Sequence, residues 1–332
     1  MTRPTIALLI PAYNAAAHLP RLLESAACQA EPFDEILVYD DCSQDDTAEV
    51  AERHGAHVVQ GDVNRGCTYG KSVLVERTRC EWVHFHDADD LLLSNFTMVA
   101  HRWITREQID AVIFGCEERW EETRELISVS IPQDRMLASD PVGYNIRNNI
   151  NAISGLYRRS AFLAAGGFDL DPAVLYNEDK AYHCKLARAG VRFRADPTVT
   201  VVNLRRRSSM WTANQAKCFR AHYHVLCKAL AGIGGDQHKE AIANRLWHVA
   251  GWAASQLDWP TADKAASLAM QLAGPSAAPS GWVFRSLCHL SPRLAIRIRE
   301  GLIRAFKPRL RAGYPGWIAS VSLPRERANE PP

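Results

Sequence analysis

The segment "WVHFHDADDLLL", residues 82–93, decides how the N-terminal part of this 332-residue chain folds. Its alternating aromatic and apolar residues predict a strand over 81–86. Three carboxylates follow within four positions, at Asp87, Asp89 and Asp90. Because like charges repel and cannot enter an apolar core, we expect them at the end of the strand, along one edge of a sheet.

Strands and helices alternate on both sides of this segment. Such alternation predicts right-handed βαβ units and an α/β fold, with a mostly parallel central sheet flanked by helices. Further strands are predicted over 5–10, 35–39 and 57–60, and helices over 16–29, 45–53, 70–79 and 95–106.

The composition is that of a globular protein. Hydrophobic residues make up 47% and charged residues 23%, which permits a sizeable core. The nine cysteines are scattered, with no C-x-x-C pair, so we expect reduced thiols and a cytoplasmic location. No run of about eighteen apolar residues occurs, so no segment is predicted to span a bilayer.

The pattern changes near residue 211, beyond which only helical spacing is found. We therefore predict two domains, an α/β domain over 1–210 and an all-α region over 211–332. Its helical patterns cover 213–231, 239–257, 262–272 and 280–313, and the last residues, 323–332, resemble a frayed tail.

The end of the helical region is strongly basic. Residues 281–332 contain ten Lys or Arg against three Glu. Within 292–311, apolar residues such as Leu294, Ile298 and Leu302 fall on one side of a helix and arginines on the other. Two interpretations stay open, peripheral contact with an anionic membrane surface and packing on the rest of the protein. Nucleic acid is not an expected partner, because no recognised binding module accompanies the charge.

Polar clusters follow three of the predicted strands, as "AYN", "DDCSQDDT" and "DADD". Ligands of open α/β sheets bind at this carboxyl edge. Asp87 and Asp89 could hold Mg²⁺ or Mn²⁺ against a diphosphate, or could belong to a solvated turn or a helix cap. Ser43 or Asp45 can cap the next helix, which does not account for Asp40 and Asp41 at the strand end, and an aspartate here could accept the imide N–H of a uracil.

Two more motifs are ambiguous when taken alone. In "NRGCTYGKSV", Lys71 is predicted in the first turn of a helix, where a cation is unfavourable unless it meets an anion such as a phosphate. The alternative is an ordinary surface lysine. In "NEDKAYHCKLARAG", Glu178 and Asp179 open a helix, a position at which acidic residues are common for dipole reasons.

Taken together, these motifs resemble the family 2 glycosyltransferases of the GT-A fold, in the family's order and over about residues 5–207. The matching pieces are "PAYNAAAHLPRLLESAACQ", "ILVYDDCSQDDT", "NRGCTYGKS", "WVHFHDADD", "SGLYRRSAFLAAGGFD" and "NEDKAYHCKLARAG".

The resemblance implies a role for each matching position. Asp89 would be the ligand of Mn²⁺ or Mg²⁺, Asp179 the catalytic base and Glu178 its neighbour in the acceptor pocket. The positions implied to bind the nucleotide sugar are Pro11, Ala12, Tyr13 and Asn14 in the first loop, Asp41 at the uracil, Lys71 near the base or phosphate, and Asp87 and Ala88 near the ribose.

The implied activity is inverting transfer of a sugar from a nucleotide diphosphate sugar, in particular a UDP-sugar. A carbohydrate or lipid-linked acceptor in surface glycan synthesis is expected. One departure weakens the expectation of metal dependence, because Arg205–Arg207 stand before Ser208 where many relatives have a histidine. The alternatives are a catalytically silent nucleotide-sugar-binding or scaffold protein, and a nucleotidyltransferase. A nucleotidyltransferase would need a Gly-rich phosphate loop after the first strand, and the segment "PAYNAAAH" at that place lacks one.

Overall fold

The computed structural model describes residues 3–106, 108–206, 214–232, 236–278 and 281–311. The predicted domain boundary at 210/211, Ser208 and the predicted tail over 323–332 lie outside these ranges, so they stay predictions. Within the described ranges, the chain forms a mixed sheet flanked by helices, followed by a helical region.

The sheet has nine strands in the order β3-β2-β1-β4-β8-β6-β9-β5, with β7 pairing on β6. The strands are β1 (Ile6–Ala12), β2 (Glu35–Asp40), β3 (His57–Gln60), β4 (Trp82–Phe85), β5 (Leu91–Leu92), β6 (Ala111–Trp120), β7 (Leu126–Ser130), β8 (Gly155–Arg158) and β9 (Phe193–Arg205).

Eight helices accompany the sheet in the described ranges. They are α1 (Leu19–Ala27), α2 (Thr47–Arg53), α3 (Cys67–Arg77), α4 (Phe96–Ile104), α5 (Asp134–Ser139), α6 (Pro141–Arg147), α7 (Arg159–Ala164) and α8 (Glu178–Arg188).

Strand β1 is buried along its whole length because helices cover both faces of the sheet. Ile6, Leu8 and Ile10 pack in one core, whereas Ala7 and Leu9 point to the other. This alternation of side chains explains the continuous apolar run from which the strand was predicted. The strand continues to Pro11 and Ala12, two residues beyond the prediction.

The first four strands are parallel, as predicted, and their register aligns the polar motifs. Leu8 pairs with Ile36 of β2 and with His84 of β4, and Ala12 pairs with Asp40. The carboxyl ends of β1, β2 and β4 therefore meet at one edge. Beyond β4 the sheet is mixed, since β8 is antiparallel to both β4 and β6 while β6 and β9 are parallel.

The C-terminal helices are α9 (Gln215–Ala231), α10 (Lys239–Ser255), α11 (Trp259–Ala273), α12 (Trp282–Leu290) and α13 (Pro292–Phe306). In the described residues, the helical pattern predicted over 280–313 consists of two helices, α12 and α13. Pro292 at the start of α13 cannot continue the preceding helix, and the Ser291 hydroxyl accepts a hydrogen bond from the N–H of Leu294 at 3.2 Å. None of the helices in the described ranges combines the length and apolar character needed to cross a bilayer.

Small side chains form the contact between α10 and α11. The shared cluster contains eight alanines of these two helices that are at most 1% exposed: Ala243, Ala250, Ala253, Ala254, Ala262, Ala265, Ala266 and Ala269. Because a methyl group fills little volume, the two helix backbones can approach closely.

We expect Ala266→Leu to lower the free energy of unfolding by about 1–3 kcal/mol, because the added carbons have no space between the helices. Urea denaturation followed by circular dichroism measures this change. Ala138→Leu, at an exposed position of α5, serves as the control and should change stability little. Equal effects of the two substitutions would contradict close alanine packing.

Candidate active site

A buried lysine connects two of the acidic motifs. The side chain of Lys71 is only 6% exposed, and its Nζ lies 2.8 Å from Oδ1 of Asp87. Burial by itself would lower the pKa of Lys71, but the acidic groups around it, first Asp87 and then Cys67 and Asp179, together outweigh burial and raise that pKa, so the ammonium stays charged. The predicted helix start is wrong: α3 begins at Cys67, and Lys71 lies in its second turn. The anion that Lys71 meets is Asp87.

Asp179, in the first turn of α8, faces the same ion pair. Its side chain is partly accessible at the site but otherwise surrounded by protein, and its Oδ2 accepts a hydrogen bond from the N–H of Ala152 at 3.3 Å. This desolvation raises the pKa of Asp179 to about 7; the charge of Lys71 opposes the shift and that of Asp87 adds to it. Burial also raises the pKa of the neighbouring Glu178. A carboxylate with a pKa near 7 suits proton transfer at neutral pH.

The backbone of Asp179 is held by a buried hydrogen-bond chain. Nδ1 of His183 donates to the carbonyl of Asp179 at 2.7 Å, and Nε2 of His183 accepts from the Tyr157 hydroxyl at 2.7 Å. Burial lowers the pKa of His183 to about 3, so the ring is neutral and each nitrogen has one role. The chain continues to the hydroxyl of Tyr182 at 3.0 Å. It fixes the first turn of α8 against the sheet.

Lys180 fixes the same turn of α8 to the loop that follows α6. Its Nζ donates to the carbonyls of Asn145 and Asn148 at 2.9 and 2.8 Å and to Oδ1 of Asn149 at 3.1 Å. The residue is only 4% exposed. Burial lowers the pKa of Lys180 to about 7, and three oxygen acceptors satisfy its donors. The loop therefore lies beside Asp179 in a defined position.

Asp89 belongs to a group of ion pairs that the motifs did not reveal. Its Oδ2 is 3.1 Å from Nη2 of Arg206, and its carbonyl accepts from Arg21 at 3.1 Å. Both arginines also pair with Glu121. Arg21 lies 3.1 Å from its carboxylate, and Arg206 contacts the same carboxylate through Nε. Burial raises the pKa of Asp89, the charge of Asp87 adds to this shift, and Arg206 opposes it.

Part of this group could have been found in the sequence. Arg21 lies in the first turn of α1, where a cation is unfavourable without an anion, so the argument applied to Lys71 also applies to Arg21. Arg206 belongs to the run 205–207, which stands where many members of the family that the sequence resembles have a histidine. Glu121 follows β6 in a turn, and nothing in its local sequence signals the two arginines.

Asp90 has a structural position rather than an open one. It is 2% exposed, and its carboxylate accepts from the side-chain amide of Asn203 at 2.8 Å and from the N–H of Leu204 at 2.7 Å. Burial raises the pKa of Asp90 well above its usual range, and the charge of Asp89 adds to the shift. The third carboxylate of "DADD" therefore attaches the end of β9, and with it Arg206, to the site.

Asp41 orders the loop before α3. It is 3% exposed, and its two carboxylate oxygens accept from the N–H groups of Arg65 and Gly66 at 2.8 and 2.7 Å. Gly66 has a φ of 87°, a left-handed conformation that favours glycine. Gly70 allows α3 to approach the sheet, since a Cβ there would lie 2.7 Å from the Tyr39 ring. Each oxygen of Asp41 keeps a second lone pair.

The first loop is held to the second. The N–H of Asn14 donates to the Ser43 hydroxyl at 2.9 Å, and its side-chain oxygen accepts from the N–H of Gln44 at 2.9 Å. Asp45 accepts from the N–H of Ala16 at 3.1 Å. Ser43 and Asp45, considered above as helix caps, thus connect the two loops. Tyr13 is 47% exposed beside them.

Two histidines, His84 and His86, precede the acidic motif. His84 is within 2.8 Å of the Gly155 carbonyl through Nδ1, and its Nε2 is 3.0 Å from Nδ1 of His86. Both rings are buried, which lowers the pKa of His84 to about 4 and that of His86 well below its usual range. The pair is neutral and lies inside the fold.

The predicted site residues divide into three sets. Lys71, Asp87, Glu178 and Asp179 interact electrostatically within one cluster, with Asp89 next to Asp87. Pro11 and Ala12 are buried end residues of β1, and Ala88 is also buried, so these three do not present open side chains. Asp41, Tyr13 and Asn14 lie at the neighbouring strand ends.

The carboxylates fit a divalent cation whose other ligands come from outside the protein. Asp87 and Asp89 supply hard oxygen donors, and the raised pKa of Asp89 reflects burial and repulsion that a cation would relieve. Among the residues that the structure describes, no group of three or more His, Cys, Asp or Glu is arranged to hold a metal. Phosphate oxygens and waters would have to complete the coordination sphere.

Comparisons with known proteins agree with this architecture. The sequence model described as "Glycosyl transferase family 2" matches residues 7–163. The putative teichuronic acid biosynthesis glycosyltransferase TuaG of Bacillus subtilis is 29% identical over 93 residues, which are 26% of this chain and 37% of TuaG. An uncharacterized glycosyltransferase of Haemophilus influenzae is 28% identical over 89 residues, 26% of this chain and 30% of that protein. The matches thus span about a third of the length of these relatives.

Solved structures share the fold at low sequence identity. S. aureus TarS 1–349 in complex with UDP-GlcNAc has a TM-score of 0.68 and 17% identity, over 91% of this chain and 92% of that one. The mannosyltransferase PcManGT from Pyrobaculum calidifontis, in complex with GDP-Man and Mn²⁺, has a TM-score of 0.57 and 19% identity, over 92% and 88% of the two chains.

We expect Lys71→Met to raise the pKa of Asp179 above about 7, because the substitution removes the positive charge that opposes this shift. Carboxyl ¹³C chemical shifts followed against pH measure it. Lys71→Arg keeps the charge and serves as the control. A titration of Asp179 that is unchanged in Lys71→Met would mean that the lysine does not stabilise its charge.

Proposed function

Residues 7–163 place the chain in glycosyl transferase family 2, and on this premise we propose that it is an inverting glycosyltransferase. It would transfer a sugar from a nucleotide diphosphate sugar, in particular a UDP-sugar, to an acceptor hydroxyl in surface glycan synthesis. The catalytic base would be Asp179. The donor site would comprise the strand ends at residues 11–14, Asp41, Lys71 and residues 87–89.

The observation that carries this proposal is the position of Lys71 between two acidic motifs. It pairs with Asp87 at 2.8 Å and its charge reaches Asp179, although the two aspartates are 92 positions apart (179 − 87) in sequence. A donor group held by Asp87 and an acceptor held beside Asp179 would thereby meet. A buried cation shared by two acidic motifs has no evident purpose in a solvated turn or a helix cap.

The proposed step is a direct displacement. Asp179 takes the proton from the acceptor hydroxyl while that oxygen forms a bond to the anomeric carbon. The bond from the anomeric carbon to the diphosphate oxygen breaks, and its electron pair leaves with the nucleoside diphosphate. One attack from the side opposite the leaving group inverts the anomeric configuration. The raised pKa of Asp179 favours its role as acceptor of this proton.

The proposal includes Mn²⁺ or Mg²⁺ held by Asp89, with Asp87 beside it. A bound divalent ion would neutralise negative charge on the diphosphate and act as a Lewis acid. Arg206 and Arg21 are positive groups of this chain at the same place, held there by Glu121. Asp89 therefore binds a cation in this structure too, namely the guanidinium of Arg206.

The proposed acceptor side is the loop that lies beside Asp179. Lys180 positions the loop over 145–149 beside Asp179, so this loop would contact a carbohydrate or lipid-linked acceptor. The nine cysteines, all within the described ranges, form no disulfide, which supports a reducing, cytoplasmic environment. Contact of residues 292–311 with the cytoplasmic face of a membrane is part of the proposal. The alternative, a silent nucleotide-sugar-binding or scaffold protein, would retain the donor site and lack turnover.

We expect Asp179→Asn to reduce sugar transfer by about 10³-fold, because an amide cannot accept the acceptor proton. Nucleotide binding should persist, since Asp179 does not belong to the proposed donor site. Product formation from radiolabelled UDP-sugars measures transfer, and calorimetry measures UDP binding. Asp171→Asn, at a position near α8 where the carboxylate pairs with Lys228, is the matched control and should remain active. A fully active Asp179→Asn would reject the assignment of the base.

We expect kcat/KM to rise as the pH increases through about 7, since Asp179 must lose its proton to act as a base.

The free energy of unfolding should fall as the pH increases over the same range. A carboxyl whose folded pKa is raised loses stabilising free energy as the pH rises from its unfolded value near 4 to its folded value near 7. Asp179→Asn should therefore melt at a higher temperature than the wild type at pH 8 and at a similar temperature at pH 4. A flat rate profile, or a lower melting temperature at pH 8, would contradict the raised pKa.

A further inference from the structure

The last two helices, with the turn that follows α13, expose a group of large apolar side chains, the apolar strip. It consists of Trp282, Val283, Leu290, Leu294, Ile298, Leu302, Phe306 and Leu310, which are between 36% and 83% exposed. Leu290 is 83% exposed, Trp282 80% and Phe306 78%, although these are among the residue types most often buried. Contiguous exposed apolar surface of this kind marks an interaction site.

Within the strip, Leu294, Ile298, Leu302 and Phe306 recur every four residues along α13, so their side chains lie on one face of that helix. Leu290 ends α12, and Pro292 separates it from this repeat.

The opposite face is already occupied. Ala295, Ile296 and Glu300 are buried on the body of the helical region, and Glu300 pairs with Arg304 and Arg311. The apolar strip is therefore additional to the face that α13 needs for folding. Packing of the strip on the rest of the protein, one of the two interpretations drawn from the sequence, is not what the described residues show.

The surroundings of the strip are basic. Residues 281–311 contain eight Lys or Arg and one Glu, a balance of +7. Some of these cations secure the helix, as Arg297 does with Asp263 at 2.6 Å. Lys307 and Arg309, next to Phe306 and Leu310, are exposed. Apolar side chains thus project from a surface of strong positive charge.

From this combination we infer that the strip binds the surface of a membrane that contains anionic lipids. Acyl chains take up the apolar side chains, and lipid phosphates neutralise the basic ones. A second copy of this chain fits less well, because two basic surfaces would face each other. The contact extends the predicted segment 292–311 to include α12. This inference deepens the proposed function. Membrane binding itself does not depend on that function, and only the placing of a lipid-linked acceptor near Asp179 rests on it.

Vesicle flotation of the full chain tests this inference. Phosphatidylcholine vesicles with phosphatidylglycerol should bind the protein, and pure phosphatidylcholine vesicles should bind it weakly. The double variant Leu302→Ser and Phe306→Ser should lower the partition coefficient by about tenfold or more. Leu126→Ser with Ile131→Ser is the matched control, since both residues are 48% exposed but lie at the β7 edge of the sheet. Its binding should equal that of the wild type.

A second variant keeps the test independent of folding defects. Lys307→Glu with Arg309→Glu changes exposed charges only and should also weaken binding to anionic vesicles. Unchanged partitioning of both double variants would overturn the inference. The inference would also be overturned if the wild type bound no vesicles, formed a dimer in light scattering, and lost that dimer in the serine variant. A second copy of the chain would then occupy the strip. If the protein bound vesicles but did not bind UDP, the inference of membrane binding would stand and the proposed function would be rejected.

Discussion

The ion pair between Lys71 and Asp87 is the interaction on which the candidate site depends. A lysine with 6% of its side chain exposed is costly to place in a fold unless an anion accompanies it. Here the anion is supplied by the end of β4, and a second carboxylate, Asp179, comes from α8. One buried cation therefore links three segments that are distant in sequence. It also limits how far burial raises the pKa of Asp179.

The site is a consequence of how the sheet is built. Parallel pairing of β1 with β2 and β4 brings their carboxyl ends to one edge, and the loops that follow are bound to one another rather than left to solvent. Asp41 and Asp90 serve this purpose with carboxylates that are almost fully buried, the first holding residues 65–66 and the second holding the end of β9. The remaining carboxylates, Asp87, Asp89 and Asp179, are the ones to which the proposed chemistry is assigned, and other carboxylates fix their surroundings.

The sequence predicts the part of the fold in which local pattern and tertiary environment agree. Strands β1–β4 are short apolar runs with polar ends, and they were placed within a few residues. Pro11 extends β1 because β4 no longer pairs with the strand there, so no hydrogen bond from its nitrogen is required. The mixed half of the sheet and the pairing of Glu121 with two arginines could not be predicted, since both depend on contacts between distant segments. The sequence pattern predicts the apolar face of α13, but whether that face is exposed or packed depends on tertiary contacts that the pattern does not give.

Calorimetric titration of the wild type with UDP, GDP and dTDP, each with and without Mn²⁺, tests most directly the claim that the acidic sheet edge is a nucleotide diphosphate site. Asp89→Ala is the informative variant, because it removes one carboxylate from that edge and leaves Lys71 and Asp87 paired. The account predicts UDP binding that Mn²⁺ strengthens and that Asp89→Ala weakens. Failure of all three nucleotides to bind the folded wild type, with or without the metal ion, would contradict it.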